Sequence, residues 1–137
     1  MILGIDPGRR RVGVAAADEV TRFARPVEVI DTRSLDPVAR VAELVVQLQA
    51  TAVVVGLPVA LSGAEGPAAS EQRDFMSRLR DVLSVDVIPY DERLTTVVAE
   101  RALRDAGTKS RKLKSLRDAV AAQVLLQDYL DATPAAP

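Results

Sequence analysis

Carboxylates at the ends of otherwise apolar segments are the residues through which this sequence could do chemistry. Asp6 closes the run Ile2-Leu3-Gly4-Ile5 and is followed by the turn pair Pro7-Gly8; Asp91 and Glu92 close a second run, Val85 to Tyr90; Asp118 stands in a segment of helical period. The chain holds no His and no Cys. That removes the imidazole base, the serine–histidine triad, thiol nucleophiles and thiolate or imidazole metal sites. Carboxylates, Lys, Arg, hydroxyls, backbone and a bound metal remain. Oxygen donors suit hard cations such as Mg²⁺ or Mn²⁺.

Each acid also has an account that needs no chemistry. Asp6-Pro7-Gly8 is good turn sequence. Asp91-Glu92 would be favourable ahead of a helix N-terminus. Ser115-Leu116-Arg117-Asp118 matches a capping box, which taken alone explains Asp118 better than a metal does. The competing feature is the stripe Asp118, Ala122, Leu125, Tyr129. Small residues at Ala121 and Ala122 let that helix lie close to a sheet, with Asp118 one turn in and directed at the strand ends.

The elements that must position these residues follow from periodicity. Residues 1–6 are a continuous apolar strand, 11–17 a second strand with small residues, and 22–30 a third, spaced as antiparallel hairpins. Asp36-Pro37 then supplies an N-cap and a first-turn proline. Val38, Val41, Ala42, Val45, Val46 and Leu48 follow at helical spacing. A β-branched strand covers 51–56, a loop 57–66, and a helix 67–83 with Phe75, Leu79, Val82 and Leu83 inward. Val85 to Tyr90 is a fifth strand. Thr95 or Thr96 caps a helix that ends before Gly107, and a basic linker, 108–114, leads to a last helix at about 115–131. The order β-β-β-α-β-α-β-α-α predicts a mixed five-stranded α/β sheet with helices on both faces. In such a sheet, sites form beyond the carboxyl ends of the parallel strands. If the first, fourth and fifth strands run parallel, Asp6 and Asp91/Glu92 reach one edge.

The 137 residues suggest one domain, 1–131, with 132–137 as a disordered tail. A chain of this size buries roughly 68% of its unfolded surface. Apolar residues make up 48% and charged residues 27%, ordinary for a globular protein. No apolar run approaches the ~20 residues of a membrane span, and no secretory signal opens the chain, so a soluble cytoplasmic protein is expected. A net charge of −1 carries no global nucleic-acid signal. The distribution says more: Arg9, Arg10 and Arg11 cluster, and Lys109, Arg111, Lys112, Lys114 and Arg117 form a second group without an acid between 109 and 117. Either group alone can be a solvated face.

A trio of carboxylates on separate elements is what phosphodiester hydrolysis asks for. The reaction needs an activated water, neutralised phosphoryl oxygens and help for the leaving oxygen, and two cations about 3.5–4 Å apart supply all three. Several carboxylates must hold them, because clustered negative charges repel without a cation between them.

The sequence also resembles a known family. Gly4-Ile5-Asp6-Pro7-Gly8 with Arg11-Val12-Gly13-Val14-Ala15 is similar to the opening of the YqgF (RuvX) family. Val54-Val55-Gly56-Leu57-Pro58 with Gly63 and Gly66, then Asp91-Glu92-Arg93-Leu94-Thr95-Thr96, then Lys114 to Asp118 with Ala-Val-Ala-Ala-Gln and Leu126-Gln127-Asp128-Tyr129-Leu130, resemble its later blocks in order. The resemblance implies a ribonuclease H-like fold related to Holliday-junction resolvases. It implies a metal-dependent nuclease acting in 5′-end processing of pre-16S rRNA. Asp6, Glu92 and Asp118 become the acidic, metal-binding and catalytic site, with Asp91 the weaker choice at the second position. Arg10, Arg11, Arg93, Lys112 and Lys114 become substrate contacts, Mg²⁺ or Mn²⁺ the cofactor, and nucleic acid the partner. Arg10-Arg11 stands where Lys-Arg is common, and Ala17-Asp18 where Ser-Asp is common; both bear on phosphate contacts.

Lys/Arg contacts to phosphate give non-specific, salt-dependent affinity. The aromatic residues are only Phe23, Phe75, Tyr90 and Tyr129, so backbone and shape outweigh base stacking. A Holliday-junction resolvase on branched DNA and a non-catalytic ribosome-assembly factor are the alternatives. An actin-like ATP-binding fold, whose phosphate loop is similar, needs a second domain for which there is no room. Monomer and homodimer both stay open.

Overall fold

The computed structural model describes residues 1–57, 67–91 and 111–133, with backbone alone at 67–69 and 111–117. Its elements in chain order are β1 (Ile2–Pro7), β2 (Arg11–Ala17), β3 (Ala24–Asp31), α1 (Pro37–Gln47), β4 (Ala52–Leu57), α2 (Pro67–Val82), β5 (Asp86–Asp91) and α3 (Arg111–Ala132). The strands form one sheet in the order β3-β2-β1-β4-β5. β1 pairs parallel to β4 and β4 parallel to β5, while β2 is antiparallel to both β1 and β3. The mixed α/β sheet expected from the sequence is therefore the fold. The loop after Leu57, the helix expected after Thr95 or Thr96, and residues 134–137 of the expected tail lie outside the described residues.

Strand alternation divides the core in two. Leu3, Ile5, Val12, Val14, Ile30, Val53 and Val55 face α1 and α2. Ala15, Ala17 and Val54 face α3 through Ala122, Leu125, Leu126 and Leu130. α1 starts as the sequence predicts: Asp36 accepts a hydrogen bond from the Val38 amide at 3.1 Å, and Pro37 fills the first turn. A charged clamp ties α1 to β3. Arg40 donates to both carboxylate oxygens of Glu28, at 2.8 and 2.7 Å, and that pairing holds the Glu28 carboxyl below its ordinary range.

Three expectations are corrected. Val46, counted among the apolar residues at helical spacing, is 78% exposed, and Val82, assigned inward, is 57% exposed. Val46 lies about 100° around α1 from Val45, off the stripe of Val41, Leu44 and Val45, whereas Val82 is the last residue of α2, beyond the buried Met76 and Leu79. The third concerns the last helix. It begins at Arg111, so residues 111–114 of the expected linker are helical. Arg-Lys-Leu-Lys has neither Gly nor Pro and consists of good helix formers, so nothing there stops the helix.

α3 is set unusually close to the sheet. A Cβ added at Gly4 would lie 2.7 Å from Leu126 Cβ, and one added at Gly13 would lie 1.9 Å from the Asp118 carbonyl oxygen. Side-chain hydrogen bonds fix the register at the other end of the helix. Arg22, at φ 58°, donates to the Leu130 carbonyl at 2.8 Å and to that of Thr133. Gln127 Nε2 donates to the Arg22 carbonyl at 3.0 Å, and its Oε1 accepts from the Ala24 amide at 2.9 Å; Gln123 Nε2 donates to the Ala24 carbonyl at 3.0 Å.

Gly13→Ala should destabilise the fold by about 3 kcal/mol, the upper range for overpacking, because helix backbone must move rather than a flexible side chain. Urea unfolding of wild type and variant measures this. A loss under about 0.5 kcal/mol, the usual span of a neutral surface change, would show that α3 does not pack on Gly13.

Candidate active site

Asp6 owes its place to β1's alternation. Leu3 and Ile5 are buried in the α1/α2 core, so Gly4 and Asp6 fall on the face that α3 covers. The cross-strand partner of Asp6 is Gly13, which lies beneath the Asp118 carbonyl. Directly opposed antiparallel residues are about 4.5–5.5 Å apart at Cα. Asp6 and Asp118 therefore share one face and one end of the sheet, on either side of a single pairing.

Asp118 sits differently from either sequence account. With α3 starting at Arg111, Asp118 is about two turns into the helix rather than one, at 3.6 residues per turn. Ser115 is then within the helix and cannot be its N-cap. The capping box is a coincidence of sequence. Ala122 is buried against the sheet, as the small-residue stripe predicts, together with Ala119, while Ala121, the other small residue expected there, is only half-buried. The Asp118 side chain is 28% exposed, with Arg11 Nη1 at 4.0 Å from its Oδ2.

The second acidic position is narrowed by register. Asp91 pairs with Leu57, which packs on the α1/α2 core. Tyr90, one residue earlier, packs with the α3 cluster. Asp91 thus belongs to the face opposite Asp6 and Asp118. Glu92 and Arg93 lie outside the described residues. Among the described residues, no three acids are grouped so as to hold a metal ion. The two acids that are brought together offer only carboxylate oxygens, the donor type that hard divalent cations take.

The basic residues separate into distinct roles. Arg9 pairs with Glu71 at 3.3 Å. Arg10 is exposed in the β1–β2 turn, where its carbonyl accepts from the Thr32 amide at 2.9 Å. Arg11 alone of the three is drawn to Asp118. Lys112 and Lys114 lie in the first turn of α3, ahead of Asp118 on the same helix.

Two contributors escaped sequence reasoning. Asp31 is the cross-strand partner of Arg11, and its carboxyl is lowered by the Arg33 amide first, then by the Arg33 side chain and Arg11. Only strand register reveals it. Tyr90 donates to Asp128 Oδ2 at 2.5 Å and meets Tyr129 edge-on at 5.7 Å. That hydrogen bond, with desolvation, pushes the Tyr90 phenol up to about 12, so the link persists at neutral pH and ties the end of β5 to α3. A separate cavity of about 340 Å³, lined by Pro7, Val12, Pro37 and Phe75 among others, opens on the α1/α2 side and contains neither Asp6 nor Asp118.

A family profile described as RuvX, Holliday junction resolvase, matches residues 1–132. A relative from Chloroflexus aggregans is 45% identical over 132 residues, covering 96% of this chain and 93% of its own length. One from Bacillus thuringiensis is 41% identical over 133 residues, covering 95% and 97%. Both are named as candidate pre-16S rRNA nucleases. The fold is similar to that of Thermus thermophilus RuvC in complex with a Holliday junction substrate, with a TM-score of 0.59, 20% identity and coverage of 96% and 93%. It is also similar to the fowlpox virus Holliday junction resolvase, with a TM-score of 0.55, 12% identity and coverage of 94% and 99%. At these identities the two structures speak for the fold, which is the ribonuclease H-like one.

The position of Ser115 gives a test of opposite signs. Inside a helix, Ser115→Ala should gain a few tenths of a kcal/mol from propensity. At an N-cap it should lose about 0.5–2 kcal/mol. Chemical denaturation distinguishes them, and a loss of 1 kcal/mol would restore the capping box.

Proposed function

The chain belongs to the RuvX family, and from that premise we propose that it is a cytoplasmic nuclease that hydrolyses phosphodiester bonds of pre-16S rRNA, with Asp6, Glu92 and Asp118 as its acidic site. The observation that carries the reading is the convergence of Asp6 and Asp118 from separate elements onto one face at the carboxyl end of β1. The parity of β5 favours Glu92 over Asp91, because Asp91 is register-locked to the opposite face. The names of the relatives supply the substrate. No helix among the described residues is long and apolar enough to cross a membrane.

The carboxylates of Asp6, Asp118 and Glu92 would hold Mg²⁺ or Mn²⁺. When bound, the metal neutralises phosphoryl charge and lowers the pKa of a water. The chain's own residues do the rest. Asp6 is fixed by strand pairing and Asp118 by a helix that cannot shift without lifting off Gly13. That rigidity holds the reacting phosphate in one geometry. Arg10 and Arg11 stand beside the site, and Lys112 and Lys114 lead up to it along α3, offering phosphate contacts without reading sequence.

A Holliday junction is the second substrate to weigh, favoured by the family description and by the fold of the junction-bound RuvC. Purified protein assayed with Mg²⁺ or Mn²⁺ on precursor rRNA, linear DNA and a four-way junction separates the readings. Preferential cleavage of the rRNA precursor is expected, and paired cuts in the junction alone would transfer the assignment to resolution. Asp6→Asn keeps the side-chain shape but loses a charge, and should abolish cleavage with its melting temperature in chelator kept. Activity within a few-fold of wild type would remove Asp6 from the site.

The helical placement of Lys112 and Lys114 bears on binding. Replacing both by Gln should weaken nucleic-acid affinity and flatten its dependence on salt, by about 0.7–0.9 in log–log slope per lost contact. An unchanged slope would mean that this end of α3 does not touch the substrate.

A further inference from the structure

Arg11 occupies a position that the proposed chemistry makes awkward. It is the first residue of β2 and lies on the face covered by α3, since its neighbour Val12 is buried on the other side. Its guanidinium is 4.0 Å from Asp118 Oδ2, and Asp31 stands opposite it on β3 and feels its charge. One arginine therefore stands between two carboxylates, one of them an acid of the proposed metal site.

We propose that Arg11 is a displaceable stand-in for the metal: it neutralises Asp118 while the site holds no cation and gives way to Mg²⁺ or Mn²⁺, passing its charge to a substrate phosphate. This rests on the functional reading above and adds a residue that tunes the site. An arginine does not lose its proton at any working pH. A cation entering beside Asp118 must then compete with a permanent positive charge for the same carboxylate. The distance suits a partner that is meant to leave. It exceeds the roughly 2.7–2.9 Å of a strong charge-assisted hydrogen bond, and the Arg11 side chain is 40% exposed, so solvent screens the pairing. Asp31 lowers the cost of leaving, because Arg11 keeps a carboxylate near it when Asp118 turns to the metal. A phosphate, which arginine grips through two parallel N–H donors, completes the exchange. Substrate that draws Arg11 away from Asp118 should then raise metal affinity, and by linkage bound metal should raise substrate affinity equally.

The test is Mn²⁺ binding to the protein alone, by calorimetry, for wild type, Arg11→Gln, Arg11→Lys and Arg10→Gln. The melting temperature of each in chelator verifies that it is folded. Removing one positive charge at about 4 Å, even at the dielectric of water, corresponds to about fivefold in affinity, so Arg11→Gln should bind Mn²⁺ about fivefold tighter or better. Its Mn²⁺-induced rise in melting temperature should grow in step. Arg11→Lys keeps the charge and should stay near wild type. Arg10→Gln makes the same change of net charge one residue away and should stay within about twofold, since it is the Arg11 guanidinium that lies 4.0 Å from Asp118. Unchanged or weaker Mn²⁺ binding by Arg11→Gln overturns the inference and leaves the metal site standing. Equal tightening by Arg10→Gln also overturns it, by reducing the effect to net charge. If none of the four binds Mn²⁺, the metal assignment falls and this inference with it.

Discussion

Where α3 crosses β2, the Asp118 carbonyl lies over Gly13 in the space that a side-chain methyl group would fill. Everything at the candidate site follows from that approach. It needs a residue without Cβ at position 13, alanines at 119 and 122 in the helix face, and small side chains at Ala15 and Ala17 further along β2. With larger residues the helix would ride several ångströms higher, and its acidic side chain would no longer share a level with the end of β1. Interiors pack densely enough that such a shift is not absorbed locally. Position and packing are thus one property here.

The helix is held in that groove from its far end. Gln123, Gln127 and Arg22 exchange hydrogen bonds between α3 and the start of β3, and the Arg22 charge sits at the carbonyl end of the helix, where the dipole favours it. The glutamines also satisfy backbone groups at an edge strand, which would otherwise be open to pairing with another chain. Asp128 and Tyr90 add a third attachment, from the same C-terminal part of α3 to the end of β5. A two-turn stretch bearing Asp118 and the preceding lysines therefore extends from a firmly seated rod. That is a mechanical arrangement well suited to presenting charge at the sheet edge.

The two faces of the sheet carry different burdens. The α1/α2 face holds the larger aliphatic core and supplies most of the buried apolar surface, which drives folding. The α3 face is thinner, built from alanine and leucine, and leaves polar residues at one end. Asp6 and Asp118 there carry like charges, and Arg11 offsets part of their repulsion.

Sequence alone determined the sequential pattern. The strand and helix types, the Asp36-Pro37 start of α1 and the apolar runs ending in Asp6 and Asp91 were legible because hydrophobic period and turn chemistry are local. So were the acidic candidates, since the absence of His and Cys left few other donors. Local rules also misled: Ser115 to Asp118 reads as a cap because the motif is only four residues long, and what decides is where α3 actually begins. Tertiary structure alone decided which residues meet. The pairing of Asp6 with Gly13, of Arg11 with Asp31 and of Asp91 with Leu57 is a matter of strand register. A one-residue slip would send each of them to the other face. Register is fixed by side chains distant in sequence fitting one core, and no window along the chain contains that information.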